Sequence, residues 1–163
     1  MADEDRQRWD ARHRVVDGAL ATPVPPDGLR GREHLLPASG RALDVACGRG
    51  AVAVWLAHQG FYVDAVDISP VARRAAAALA QAHGVAERVR FVAHDLDNGL
   101  PESCRGPYAV VVCQRFRDPK LYPALAAALA PDGLLIVTVL SEVGATPGRF
   151  RARPGELVEA FAD

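Results

Sequence analysis

A doubly wound α/β fold, a mostly parallel sheet with helices on both faces, is what this sequence predicts. Three observations carry that reading. Apolar runs of strand length alternate with helix-length segments between residues 41 and 140, which implies parallel pairing through right-handed crossovers. A glycine-broken loop, Cys47-Gly48-Arg49-Gly50, joins the first run to the helix that follows it. The second run ends on an acid, Asp67, so strand, glycine loop, helix and acid-tipped strand form a nucleotide-binding βαβ unit.

Composition sets the bounds. The 163 residues suit a single domain, 1–163, with room for a proper core. Half of them are hydrophobic and 24% are charged, an ordinary globular balance. A net charge of −1 leaves no footprint for wholesale binding to nucleic acid or to a membrane surface, so neither is expected as a partner. Cys47, Cys104 and Cys113 are odd in number and lack C-x-x-C spacing, which argues against a disulfide framework or a zinc site. No signal peptide and no apolar run of about 20 residues is visible, and a cytoplasmic protein is expected.

The elements follow in order. Residues 3–16 read as a charged surface helix packed through Trp9. Residues 17–39 carry Pro23, Pro25, Pro26 and Pro37, which forbid a continuous helix, although 29–36 suits a short one. With the first helix, this Pro-rich part makes 1–40 a segment folded over a site. The core, 41–140, opens on the apolar strand 42–46, in which Asp44 is the exception. Helix 51–59 stops at Gly60, and strand 61–66 delivers Asp67. Ser69 is placed to cap the next helix, with Pro70 at its first position, and alanine-rich 71–83 runs to Gly84. Strand 88–94 follows, then a loop over 95–101 by its composition. Strand 108–113 is apolar throughout, hence interior. A helix over 118–130, closed by Pro131-Asp132-Gly133, leads to a fifth strand at 134–140. The remainder, 141–163, is a loop and a short amphipathic helix at 155–161.

A ligand belongs at the carboxyl ends of such strands, beside the first of them. The glycine loop there supplies amides, and Asp67 supplies acceptors for ribose hydroxyls. Gly48-x-Gly50-x-x-Ala53 also matches a dinucleotide fingerprint. Two acids count against that match: Asp44 within the first strand, and Asp95 closing the third.

At this point LDVACGRG, VDIS, HDL and LAPDGLL are similar to the class I S-adenosylmethionine-dependent methyltransferases, a family with a Rossmann-like fold. The likeness runs from about residue 41 to residue 140. The leading RWDARH also resembles the N-terminal helix of small-molecule members related to tellurite-resistance methyltransferases. One departure is Ala46, where many members carry glycine. The resemblance implies S-adenosylmethionine as cofactor. Gly48 and Gly50 would let the backbone approach its methionine part, and Asp44 would hold the ammonium. Asp67 would bind the ribose, Asp95 the adenine amino group, and the Leu96 backbone a ring nitrogen. Ala46, Cys47, Ile68 and Cys113 complete the implied cofactor set. For Asp67 and Asp95 the plainer reading is loop capping.

The acceptor side should follow the fourth strand, at Gln114-Arg115-Phe116-Arg117. The asparagine-proline-proline-aromatic motif of amino-group methyltransferases acting on nucleic-acid bases is absent there, which counts against a DNA N-methyltransferase; a small-molecule acceptor is expected. Phe116 suits an apolar wall, while Gln114 and Arg115 suit a polar or anionic acceptor. Arg115 and Arg117 as solvated loop residues is the competing reading. His13 is the candidate base, reaching in from the first helix. Arg149, Arg151 and Arg153 read as a solvated run, and His34, His58, His83 and His94 as structural or surface residues without metal-ligand spacing.

Two rival functions stand beside the methyltransferase: a catalytically silent cofactor-binding module, and a nicotinamide-dependent oxidoreductase. Members of this class usually continue past the fifth strand with a helix and two more strands, the last antiparallel. Here that hairpin has no counterpart, so a truncated or shortened member is expected. Its fifth-strand edge should be covered by residues after Ser141 or by a second copy of the chain.

Overall fold

The computed structural model describes residues 2–14 and 19–162. Its centre is a five-stranded sheet in the order β3-β2-β1-β4-β5, every pairing parallel. The strands are β1 (Arg41–Val45), β2 (Tyr62–Asp67), β3 (Val89–Ala93), β4 (Tyr108–Gln114) and β5 (Leu129–Thr138). Before and between them lie helices α1 (Ala2–Arg14), α2 (Ala51–His58), α3 (Pro70–Ala82) and α4 (Tyr122–Ala127). After β5 come β6 (Leu140–Ser141), β7 (Arg151–Ala152) and α5 (Glu156–Ala160).

Alternation along the strands feeds two cores. Ala42, Val63, Ala65, Val110 and Val112 face Val54 and Leu56 of α2 and Leu79 of α3. Leu43, Val45, Val66 and Val111 face Tyr122 and Leu125 of α4, together with Leu96 and Leu100. Helices therefore cover both faces, and β1 and β4 are buried because they are flanked on every side. The Ser69 hydroxyl caps α3 by accepting from Ala72 N at 3.1 Å, with Pro70 next in line.

Four expectations need correction. The segment 29–36 forms two separate 3₁₀ turns, Asp27–Leu29 and Glu33–Leu35, rather than one helix. The helix expected over 118–130 ends at Ala127, because Leu129 already pairs with Tyr108 in β5. Pro131-Asp132-Gly133 is then an irregularity within β5, with Asp132 at φ +60°. Past Thr138 the chain leaves the sheet, and β6 pairs with β7 as a separate two-stranded sheet. Among the described residues no strand pairs with the outer edge of β5, so residues after Ser141 do not extend the sheet there. Finally, α1 is held through Asp10, its buried residue, while Trp9 is half-buried. Val15 and Val16, expected to end that helix, lie outside the described residues.

The amino ends of the strands are tied by a polar network. Asp64 of β2 accepts from Arg41 at 2.7 Å, Arg90 at 2.8 Å and the Tyr108 hydroxyl at 2.6 Å. Burial opposes its ionisation, but these three donors outweigh burial and hold its pKa below the usual carboxylate range.

Candidate functional site

The carboxyl ends of β1, β2 and β4 lie side by side, with Val45 in register with Val66 and with Cys113. Past Val45 the backbone turns sharply. Ala46 takes φ +56° and Gly48 and Gly50 take +54° and +86°. A Cβ on Gly50 would stand 2.7 Å from the Ala76 Cβ, so its glycine is needed both for conformation and for the packing of α3. Ala46 adopts the same left-handed region with a side chain, at a cost of about 1–2 kcal/mol.

Asp67 reaches back across this loop. Its Oδ2 accepts from Gly48 N at 2.9 Å and its Oδ1 from Ser69 N at 2.9 Å. Gly50 N donates to the Cys47 carbonyl at 3.1 Å, and Cys47 N to the Val66 carbonyl at 2.9 Å. Three loop amides are thus already engaged. The expected cradle of free amides is correspondingly reduced, and the loop is poorer in donors than an anion site requires.

Asp44 is the second acid of the site. It is buried in β1, and its Oδ2 has no hydrogen-bond partner. Burial, reinforced by the neighbouring Asp67 charge, pushes its pKa up to about 8. The same surroundings suppress the thiols. Burial first, then Asp44 and Asp67, raises Cys47 well above its ordinary value. Burial, Asp44 and Asp118 push Cys113 up to about 12. Neither thiol is a nucleophile at neutral pH.

Ile68 follows Asp67 half-buried, and Leu96 is buried after β3. Asp95 caps its own turn, accepting from Asp97 N at 3.0 Å. His13 of α1 lies over the loop, its Cε1 3.6 Å from where a Gly48 Cβ would stand. Burial, against the opposing pull of Asp67, lowers its pKa, so the ring is neutral at pH 7.

The segment after β4 is braced on both sides. Gln114 Oε1 accepts from Asp27 N at 2.8 Å, and Arg115 pairs with Asp27 Oδ2 at 3.0 Å, which fastens the Pro-rich segment here. Arg117 is no solvated residue. Its Nε and Nη2 donate to Glu156 at 2.7 and 2.6 Å, and its Nη1 to the Arg149 carbonyl at 2.7 Å. Phe116 is half-buried against the core that Leu43 and Leu125 share. Sequence reasoning missed Asp10, Asp27, Arg49 and Glu156. The contacts that tie each of them to another part of the fold span 30 or more residues, and no local pattern announces those.

Two clefts, of about 420 and 230 Å³, lie away from the glycine loop. One is lined by Tyr62, Gln81 and Val85 and the other by Asn98, Leu100 and Ala124. Among the described residues no three His, Cys, Asp or Glu side chains come together as a metal site.

The family model for a methyltransferase domain matches residues 42–133, the stretch that holds β1, the glycine loop, Asp67 and Asp95. The chain belongs to the class I S-adenosylmethionine-dependent methyltransferases. It is 38% identical over 117 residues to the ribosomal protein L11 methyltransferase of Pelotomaculum thermopropionicum, covering 70% of this chain and 37% of that one. The chain thus spans little more than a third of the curated relative's length. Among solved structures, the cyclase SpnF superposes with a TM-score of 0.73 at 19% identity, covering 99% of this chain and 71% of that one. The geranyl diphosphate C-methyltransferase of Streptomyces coelicolor gives 0.69 at 17% identity, covering 99% and 78%. These likenesses carry the fold.

The residues of this chain fit the family's cofactor on an observation of their own. The Asp67 carboxylate lies close enough to add to the cost of ionising Asp44, and Asp44 Oδ2 lacks a partner. A cation satisfies both conditions, and S-adenosylmethionine carries an ammonium and a sulfonium. A pyrophosphate, as in a nicotinamide dinucleotide, would meet two acids and a loop with three of its amides engaged.

Proposed function

We propose that this chain, as one domain over 1–163, transfers the methyl group of S-adenosylmethionine to a small-molecule acceptor by in-line displacement. The observation that carries the reading is the pair of acids at the glycine loop, with Asp44 Oδ2 buried and unpartnered. Asp44 would hold the ammonium, Gly48 and Gly50 would admit the methionine part, and Asp67 would bind the ribose. Ala46, Cys47, Ile68 and Cys113 would line the pocket, with Asp95 and Leu96 at the adenine. When bound, the cofactor supplies an activated methyl on sulfur.

The chain's own task is placement and exclusion of water, since a displacement of this kind needs aligned reactants more than it needs a nucleophilic side chain. A neutral His13 can accept a proton from an acceptor that has one to lose. Phe116 offers an apolar wall, while Gln114 and Arg115 hold Asp27 and close the same side. That closure, together with the missing base-methyltransferase motif, supports a small acceptor. The L11 relative acts on a protein, so a protein acceptor is the alternative that the assay must include. The three free cysteines suit a reducing cytoplasm.

A silent cofactor-binding module is favoured by one observation: Gln114 and Arg117 are committed to partners within the chain, and Arg115 is exposed and pairs with Asp27 at the surface. Calorimetry with S-adenosylmethionine, S-adenosylhomocysteine and NADH tests the cofactor, and tight NADH binding alone would overturn the reading. A turnover panel of thiols, amines, hydroxyls, oxyanions and ribosomal protein tests the acceptor. Phe116→Ala should impair turnover and leave cofactor affinity nearly unchanged. Equal loss of both, or of neither, removes this stretch from the acceptor pocket.

A further inference from the structure

α1 has little apolar surface with which to keep its place. Its sequence, ADEDRQRWDARHR, carries one large apolar side chain, Trp9, and its buried residue is an acid, Asp10. A buried carboxylate is costly without a donor, so the donor it finds decides where the helix docks. Asp10 Oδ1 accepts from the Ser69 hydroxyl, the same hydroxyl that caps α3. Ser69 N donates to Asp67, and Asp67 accepts from Gly48 N. A continuous run of hydrogen bonds therefore joins α1 to the acid and the glycine loop of the cofactor site.

The loop also grips the other end of the helix. Arg49, between the two glycines, donates to the His13 carbonyl at 3.0 Å and to the Ala19 carbonyl at 2.6 Å. Carbonyls in the last turn have no partner within the helix, and a cation there is favourable. Between these two holds His13 comes to lie over Gly48.

We propose that Asp10 is a positioning residue for the cofactor site: by docking α1 on Ser69 it sets His13 over Gly48 and makes the helix a wall that slows cofactor release. The proposal rests on the assignment of the glycine loop and Asp67 as that site. Asparagine at position 10 retains an oxygen that accepts the Ser69 proton, whereas alanine does not.

The test uses the full chain with Trp55→Phe, which leaves Trp9 as the sole tryptophan. Two readouts need no turnover: acrylamide quenching of Trp9 with amide exchange across residues 2–14, and the release rate of S-adenosylhomocysteine. Asp10→Ala should expose Trp9, speed exchange in α1 and raise the release rate at least tenfold. Exchange in β1 and β4 should stay slow, which shows that the core is folded. Asp10→Asn should stay near the parent in both readouts. The proposal is overturned if Asp10→Ala leaves α1 protected, if it frees α1 without faster release, or if Asp10→Asn behaves like Asp10→Ala. Failure of the site assignment looks different: Asp67→Ala would leave S-adenosylhomocysteine affinity unchanged while α1 exchange still responded to position 10.

Discussion

Asp67 Oδ2 accepts the Gly48 amide at 2.9 Å, so the acid that ends β2 also fixes the loop that follows β1. One carboxylate holds Gly48 and Ser69 and keeps further lone pairs for a ligand. The capping reading of this acid and its proposed ribose role are therefore compatible. Asp67→Ala should lose about 1.5–3 kcal/mol of cofactor affinity, the usual range for hydrogen bonds to a charged group, and some thermal stability as well. Asp67→Asn, which keeps one acceptor oxygen, should lose affinity with a smaller fall in Tm. Calorimetry and thermal melts on both variants check this, and undiminished affinity in both would remove Asp67 from the cofactor site.

Asp44 makes the stability of the free protein depend on pH in an unusual direction. Its pKa is raised from 3.8 to about 8 in the folded chain, so between those values the unfolded state ionises while the folded state keeps its proton. The unfolded state then binds fewer protons, and stability falls as pH rises. The contribution is complete below about pH 4, is lost progressively towards pH 8, and is flat above. Asp67, Cys47 and Cys113 are the titratable groups coupled to it, and both thiols are pushed above their ordinary range. Asp44→Asn should gain Tm relative to the parent as pH rises from 4 to 8, while binding S-adenosylmethionine more weakly. Parallel Tm profiles for the two proteins over that window would rule this out.

Arg117 and Glu156 behave oppositely. Two hydrogen bonds from Arg117, helped by the Tyr122 hydroxyl at 3.1 Å, depress the Glu156 pKa to about 2 against the cost of burial. A depressed carboxylate stabilises the fold above its unfolded value of 4.5, and the contribution is lost as pH falls from there towards 2. The Tm gap between the parent and Glu156→Gln should be widest above pH 5 and close at low pH. Arg117→Ala leaves a buried charge unpaired and should cost about 3–5 kcal/mol. Denaturant unfolding that shows less than about 1 kcal/mol would mean that α5 is held by its apolar contacts alone.

The βαβ unit was legible because its signals are local. Apolar runs, a glycine stop and a Ser-Pro helix start each act within a few residues, and β1 to α3 fall within two residues of their expected bounds. The region after β4 was not legible, since whether Leu129 belongs to helix or strand is decided by Tyr108, 21 residues earlier in the chain. The candidate site divides in the same way. Its acids and glycines stand in one recognisable order. The contacts that close it, Asp10 to Ser69 and Arg117 to Glu156, span 59 and 39 residues. Ala46 lies between these cases: the departure from glycine was visible, but its left-handed backbone is a property of the folded loop.

β5 supplies the last prediction. It pairs with β4 on one side and with no described strand on the other. The turn at Asp27–Leu29 packs near it, with a Cβ on Gly28 3.3 Å from Ile136 Cγ2 and 3.6 Å from Thr138 Cγ2. Those are side-chain atoms, so the turn shields a face of the strand and does not extend the sheet. β6 and β7 satisfy each other instead. An open edge carrying Leu134-Leu135-Ile136-Val137 presents unpaired amides and carbonyls along an apolar strand, which favours pairing with another chain. A second copy meeting the first edge to edge about a two-fold axis would satisfy both. Light scattering should show a dimer whose population rises with concentration, and amide exchange across 134–138 should slow in step with it. A monodisperse monomer at every concentration, with those amides exchanging rapidly, would show that the edge stands uncovered and that no second copy is recruited.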